Sequence, residues 1–159
     1  MRVPTPLLIL SALACAALGL DEVDDSIADP FLDGLTLGAT PDIVAEHWHA
    51  LDAEVTLLTT EDRTTLSIDR KDGRIVYVYS DRTLRLARLS RELPDAAAFN
   101  AAVDHWWTRL SELYGAHRHL GGLAALFWDA GPWRAALFYD LSGAEPGVVG
   151  SVTVSLELR

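Results

Sequence analysis

Histidine is the residue type in this chain best suited to metal or acid–base chemistry. Four of the five histidines fall in two His-x-His pairs, His47/His49 and His117/His119, and His105 stands alone. Imidazoles two positions apart share a face only in an extended strand, whereas on a helix they point ~200° apart. If the segment holding His117 and His119 is extended, that pair could chelate zinc or copper. His47 and His49 lie in a stretch with helical spacing and could not. No carboxylate or thiolate motif accompanies the pair at His117 and His119, which borders Gly121-Gly122, so an exposed strand-end pair is the expectation and no cofactor is called for.

Other chemistries find less support. A serine nucleophile needs a base in reach and usually a strained turn, and no Gly-x-Ser-x-Gly elbow occurs. Ser142 and Ser151 adjoin glycines where turns or strand starts are expected. With twenty-three acidic residues any carboxylate pair can be proposed for glycosidic chemistry, and none is singled out. Neither a phosphate-cradling Gly-rich loop nor a dinucleotide fingerprint is present. Cys15, the one cysteine, lies in an apolar N-terminal run, so the remaining chain has no disulfide, thiolate metal site or cysteine nucleophile. The expectation is a protein that is not an enzyme.

Aromatic residues are the remaining lead. Trp106 and Trp107 stand ~100° apart on a helix, so if one faces the core the other lies at its margin. Trp133 opens a strand after Gly131-Pro132, and Tyr77 and Tyr79 share the strand face opposite Val76 and Val78. Trp107, Trp133, Tyr77 and Tyr79 are therefore candidates for a partner-binding rim, because Trp and Tyr supply contact area at small entropic cost. Core packing is the favoured reading for most of them.

The elements that must position these residues are readable. Thr40-Pro41-Asp42 combines an N-cap, a proline at the first helical position and an acid near the positive end of the dipole. The helix it starts carries Val44, Trp48 and Leu51 on one face. Short runs with period two follow between Glu54 and Leu89, and Asp72-Gly73 marks a hairpin. Pro94-Asp95 opens a second helix whose Phe99, Val103, Trp106, Leu110 and Leu113 keep helical spacing until Gly115. Three more strands are predicted, Leu123 to Trp128, Trp133 to Leu141 and Val148 to Leu158. The spacing thus predicts an α+β protein, two helices packed on an antiparallel sheet of about six to seven strands, either as two stacked helix-plus-strands halves or as one sheet with both helices on one face.

Residues 1–20 read as a secretory signal: Arg2 precedes an uncharged run from Leu7 to Leu20, too short and too rich in small residues for a comfortable bilayer span. Ser11-Ala12-Leu13-Ala14-Cys15 resembles a bacterial lipobox, which implies diacylglycerol on Cys15. Cleavage after one of the nearby small residues is the open alternative. Residues 21–33 read as a solvated acidic linker and 34–159 as one domain. The net charge of −10 argues against nucleic acid, and within the loose series Arg82, Arg85, Arg88 and Arg91 the leucine-flanked Arg85 and Arg88 read as solvated positions on an edge strand. The location expected is exported: periplasmic, secreted or lipid-anchored in the bacterial envelope.

Gly34-Leu35-Thr36-Leu37-Gly38-Ala39-Thr40-Pro41-Asp42-Ile43-Val44 resembles the opening of small exported bacterial domains of the BamE-like and β-lactamase-inhibitor-like kind. Leu113-Tyr114-Gly115, followed by Phe127-Trp128, is similar to their second half. The resemblance implies a two-layer α+β fold that binds another protein and carries no catalytic residues. Two expectations result: an exported, non-enzymatic binding or envelope-assembly module, or a small-ligand or metal-binding periplasmic domain using His117 and His119.

Overall fold

A computed structural model describes residues 27–71, 73–119, 124–141 and 148–159. The expected signal segment, the Cys15 acylation site and residues 21–26 of the acidic linker lie outside the described residues.

Helix α1 spans Pro41–Ala50. Thr40 is extended at the N-cap but makes no side-chain cap bond, so the start rests on the fixed φ of Pro41 and on Asp42 at the positive end of the dipole. Its buried residues, Pro41, Val44 and Trp48, form a single stripe. Four strands follow: β1 (Glu54–Thr59), β2 (Arg63–Arg70), β3 (Gly73–Ser80) and β4 (Thr83–Leu93). Helix α2 (Ala96–Tyr114) comes next, then β5 (Arg118–His119), β6 (Ala125–Ala130), β7 (Trp133–Asp140) and β8 (Gly150–Leu158). Asp95 caps α2 by accepting from the Ala98 amide at 2.7 Å, and Gly115 ends it at φ 82°. The last turn closes onto Ser111.

All eight strands form one antiparallel sheet in the order β1-β2-β3-β4-β8-β7-β6-β5. Each half of the chain is a helix followed by four strands, and the last strands of the halves, β4 and β8, pair at the centre. Both helices contact the same face. The contacts of α1 are with β1 and β2, and those of α2 with β4, β6, β7 and β8.

Two points of the expected fold class are corrected. The sheet has eight strands rather than six to seven, and most of the regular structure is strand, so the protein is sheet-dominated rather than an even α+β mixture. The uncounted strand is β5, only two residues long and exposed, with no alternation to mark it.

The register lines up one buried row across the sheet: Leu66, Tyr77, Ala87, Leu156, Ala135 and Trp128. Large and small side chains mix along it, which gives the helices a surface into which their own residues fit. Gly73 stands where β3 meets β4, at φ 137°, and a Cβ there would come within 2.6 Å of the Ser90 carbonyl oxygen. Gly34, at φ 81°, has open space around it. Gly73→Ala is therefore expected to lower unfolding free energy by about 2 kcal/mol or more, and Gly34→Ala by about 1 kcal/mol, in urea denaturation. Equal losses would mean that crowding at Gly73 contributes nothing.

Candidate functional site

The described chain begins with a strap, and its conformation is set by its own backbone. The Asp29 amide donates to the Leu35 carbonyl at 2.9 Å, the Leu37 amide to that of Ile27 at 2.8 Å, and Ala28 bridges Thr36. Phe31 then lies edge-on to Tyr77 of β3 and to Trp106 of α2, with ring centroids 6.2 and 5.6 Å away. The Tyr114 hydroxyl donates to the Ala28 carbonyl at 2.7 Å. Residues 27–33, expected to end a solvated linker, are thus docked between helix and sheet, with Leu32 buried.

At the middle of the strap sits Asp29, a carboxylate only 2% exposed. Its Oδ1 accepts from the Phe31 amide at 2.8 Å and its Oδ2 from the Tyr77 hydroxyl at 3.0 Å. Burial pushes its pKa up to about 6, against the opposing pull of these two hydrogen bonds and of Arg109, which pairs with Asp33. The Tyr77 hydroxyl is held well above its ordinary range, first by burial and then by the neighbouring Asp29. The Tyr79 hydroxyl and the indole nitrogens of Trp48 and Trp133 are buried without a hydrogen-bond partner. Asp29 has no prominence in the sequence, although Ile27, Phe31 and Leu32 among the acids are the available sign of a docked segment.

Three of the four residues expected at a partner-binding rim are in the core. Tyr77 and Trp133 are 0% and Tyr79 1% exposed, because their strand faces lie under the helices and the strap. Trp107 alone is at the surface, 43% exposed. It stands beside the histidine pair. Its Nε1 donates to His117 Nδ1 at 3.4 Å, and the His117 ring lies between those of Trp107 and Trp128, 6.1 and 5.6 Å from each. His117 is itself exposed and contacts both indole rings. His119 is exposed opposite Leu126 on β6. Among the described residues no three His, Cys, Asp or Glu side chains converge to hold a metal ion.

The other sheet face is different in kind. Among the described residues, neither helix nor strap covers it, and alternate residues of the strands point there, most of them reaching solvent while Ala136 and Ser155 are buried among their neighbours. Thr65, Val78, Leu86, Glu157, Arg134 and Asp129 form one row across it, and Ser67, Val76, Arg88, Ser155, Ala136 and Phe127 the next. Phe127 meets Phe138 edge-on at 5.8 Å, and Asp129 pairs with both Arg118 and Arg159. Beside the start of β3 at Gly73, past which β4 and β8 extend, a groove of about 620 Å³ is lined by Arg70, Lys71, Arg74 and Arg91 together with Ser90 and Thr153. Arg74 is bound to Asp69 at 2.7 Å. This surface offers many separated contacts suited to binding.

No protein-family model, curated protein or solved structure matches this chain.

The elevated pKa of Asp29 fixes the sign of a pH effect. A carboxyl that binds its proton more tightly when folded favours the folded state at low pH, and that contribution is lost as pH rises from about 4 to about 7, a window worth roughly 3 kcal/mol. Asp29→Asn keeps an acceptor for the Phe31 amide and carries no charge. The stability difference between the original protein and this variant should therefore shift in favour of the variant by up to that amount between pH 4 and 7, as measured by urea denaturation at each pH. A pH-independent difference would show that Asp29 is ionised at no cost.

Proposed function

We propose that this protein is an exported, non-enzymatic binding module of the bacterial envelope that meets another protein through the uncovered face of its sheet. The observation that carries this reading is the one-sided covering of the sheet by α1, α2 and the strap. The half-buried aliphatic group of Val76, Val78 and Leu86 lies at the centre of the free face. Arg74, Arg88, Arg134 and Glu157 lie around it. An apolar centre within a charged surround is the usual anatomy of a protein interface. The resemblance of residues 34–44 to exported protein-binding domains points the same way. Trp107 offers a second, smaller contact on the helix side. The metal-binding alternative has less support, because His117 is engaged by Trp107 and Trp128.

A photoreactive side chain at Val78, on the free face, should crosslink in intact cells to one discrete partner, and the same group at Glu112 on α2 should not. Leu86→Asp should abolish that adduct while the purified protein keeps its thermal midpoint within a few degrees. Equal labelling from both sites, or none from Val78, would remove the basis for this use of the face.

Export has its own readout. Intact mass of the protein recovered from the envelope fraction should show either an acylated Cys15 or a chain shortened within the first twenty residues. A chain that retains the whole apolar run in the cytosolic fraction would overturn the proposed location.

A further inference from the structure

The two edges of the sheet are guarded in opposite ways. At one side, among the described residues, β5 is two residues long and presents Arg118 and His119. Shortness and charge are standard means of stopping an edge from pairing with another chain. The other edge is β1, six residues in unbroken register with β2, without proline, lysine, arginine or bulge. Leu57 and Leu58, on its two faces, are 55% and 64% exposed.

The groups that this edge offers follow from one hydrogen bond. The Thr60 amide donates to the Arg63 carbonyl at 2.8 Å, closing the β1–β2 hairpin. Antiparallel pairs alternate between bonded and non-bonded. Leu58, Thr56 and Glu54 therefore direct their amides and carbonyls toward β2, and Val55, Leu57 and Thr59 direct theirs outward. Those outward groups are the template on which a further strand could be laid.

Charge indicates what kind of strand. Exposed acids stand at both ends of β1: Asp52 before it and Glu54 at its first position, Glu61 and Asp62 after it. Arg63 stands beside the second pair, and Arg70 and Lys71 lie one strand further in than the first, so the charged residues nearest the open edge are mainly acidic at each end. A second copy of this chain fits poorly. Antiparallel pairing about Leu57 that keeps the two faces in line would bring Glu54 opposite Thr60 of the copy, next to its Glu61 and Asp62, at both ends. Parallel pairing would bring like acids together directly.

We infer that the outer edge of β1 docks an extended segment of another protein, apolar at its centre and carrying lysine or arginine at both ends, as a ninth strand of the sheet. This goes beyond the proposed use of the free face, and the Val78 crosslink reports on that face separately.

The test uses the whole protein and two synthetic peptides with the same alternating valine and threonine centre, one with two lysines at each end and one with two glutamates. The lysine-ended peptide should bind one to one and weaken as salt rises, and the glutamate-ended peptide should bind at least about tenfold more weakly. Leu57→Pro removes an outward amide without breaking a β1–β2 bond, and proline is tolerated on such an edge. It should reduce binding about tenfold or more. Thr59→Pro is the second variant should Leu57→Pro fail to fold. The double variant Glu54→Lys with Glu61→Lys should reverse the preference between peptides. Failure of the lysine-ended peptide to bind, equal binding of both peptides, undiminished binding by the folded proline variants, or a dimer of the original protein that Leu57→Pro dissolves would each overturn the inference.

Discussion

The antiparallel pairing of β4 with β8 is the contact on which the rest of the architecture depends. It joins the last strand of one helix-plus-four-strands half to the last strand of the other, from Leu86 opposite Glu157 to Leu93 opposite Gly150. Without it the buried row through Tyr77, Ala87, Leu156 and Trp128 would be divided, and each half would expose an edge at its centre. Gly150 shows how tightly the junction is built. A Cβ there would meet the Asp140 carbonyl oxygen at 2.6 Å and the Phe99 ring at 2.8 Å, so β7, β8 and α2 approach one another only because that position has no side chain.

The two halves are not equally covered. Helix α1 has 10 residues and lies mainly on β1 and β2, whereas α2 has 19 and spans four strands. The strap lies on the part of the helix face that holds Tyr77 and Trp106, and brings Phe31 and Leu32 into the core. It also brings Asp29. Burying a carboxylate opposes folding unless it is neutral or well bonded, and here two hydrogen bonds and a pKa near 6 share that burden. The Asp29–Tyr77 bond places the strap on β3 more specifically than apolar contact alone would.

Much of this architecture was legible in local sequence, and the limits of legibility are physical. Thr40-Pro41-Asp42 and Pro94-Asp95 marked both helix starts because capping and the fixed proline φ act over a few residues. The last strand was readable because Val152, Val154 and Leu156 alternate with polar residues. The β5 strand was not, since two exposed residues carry no period, and the sheet order was not, since β4 and β8 pair across more than fifty residues of chain. The aromatic rim failed for a related reason. A tyrosine pair on one strand face marks a face, but which face the helices cover is a tertiary fact, so Tyr77, Tyr79 and Trp133 went inside and only Trp107 stayed at the surface.

The two-half topology bears on the meaning of the free edge at β1. Because β4 and β8 meet at the centre, the first strand of each half, β1 or β5, must be an edge. The same topological position is thus occupied twice, with opposite outcomes. Among the described residues the second half has an edge of two residues, Arg118 and His119, while the first keeps six regular residues with two exposed leucines and confines its acids to the ends. An edge that served only as a liability could have been shortened in the way β5 was. Retaining its length while placing acids at both ends deters copies of this chain from pairing there and leaves the backbone groups open to a strand of opposite charge.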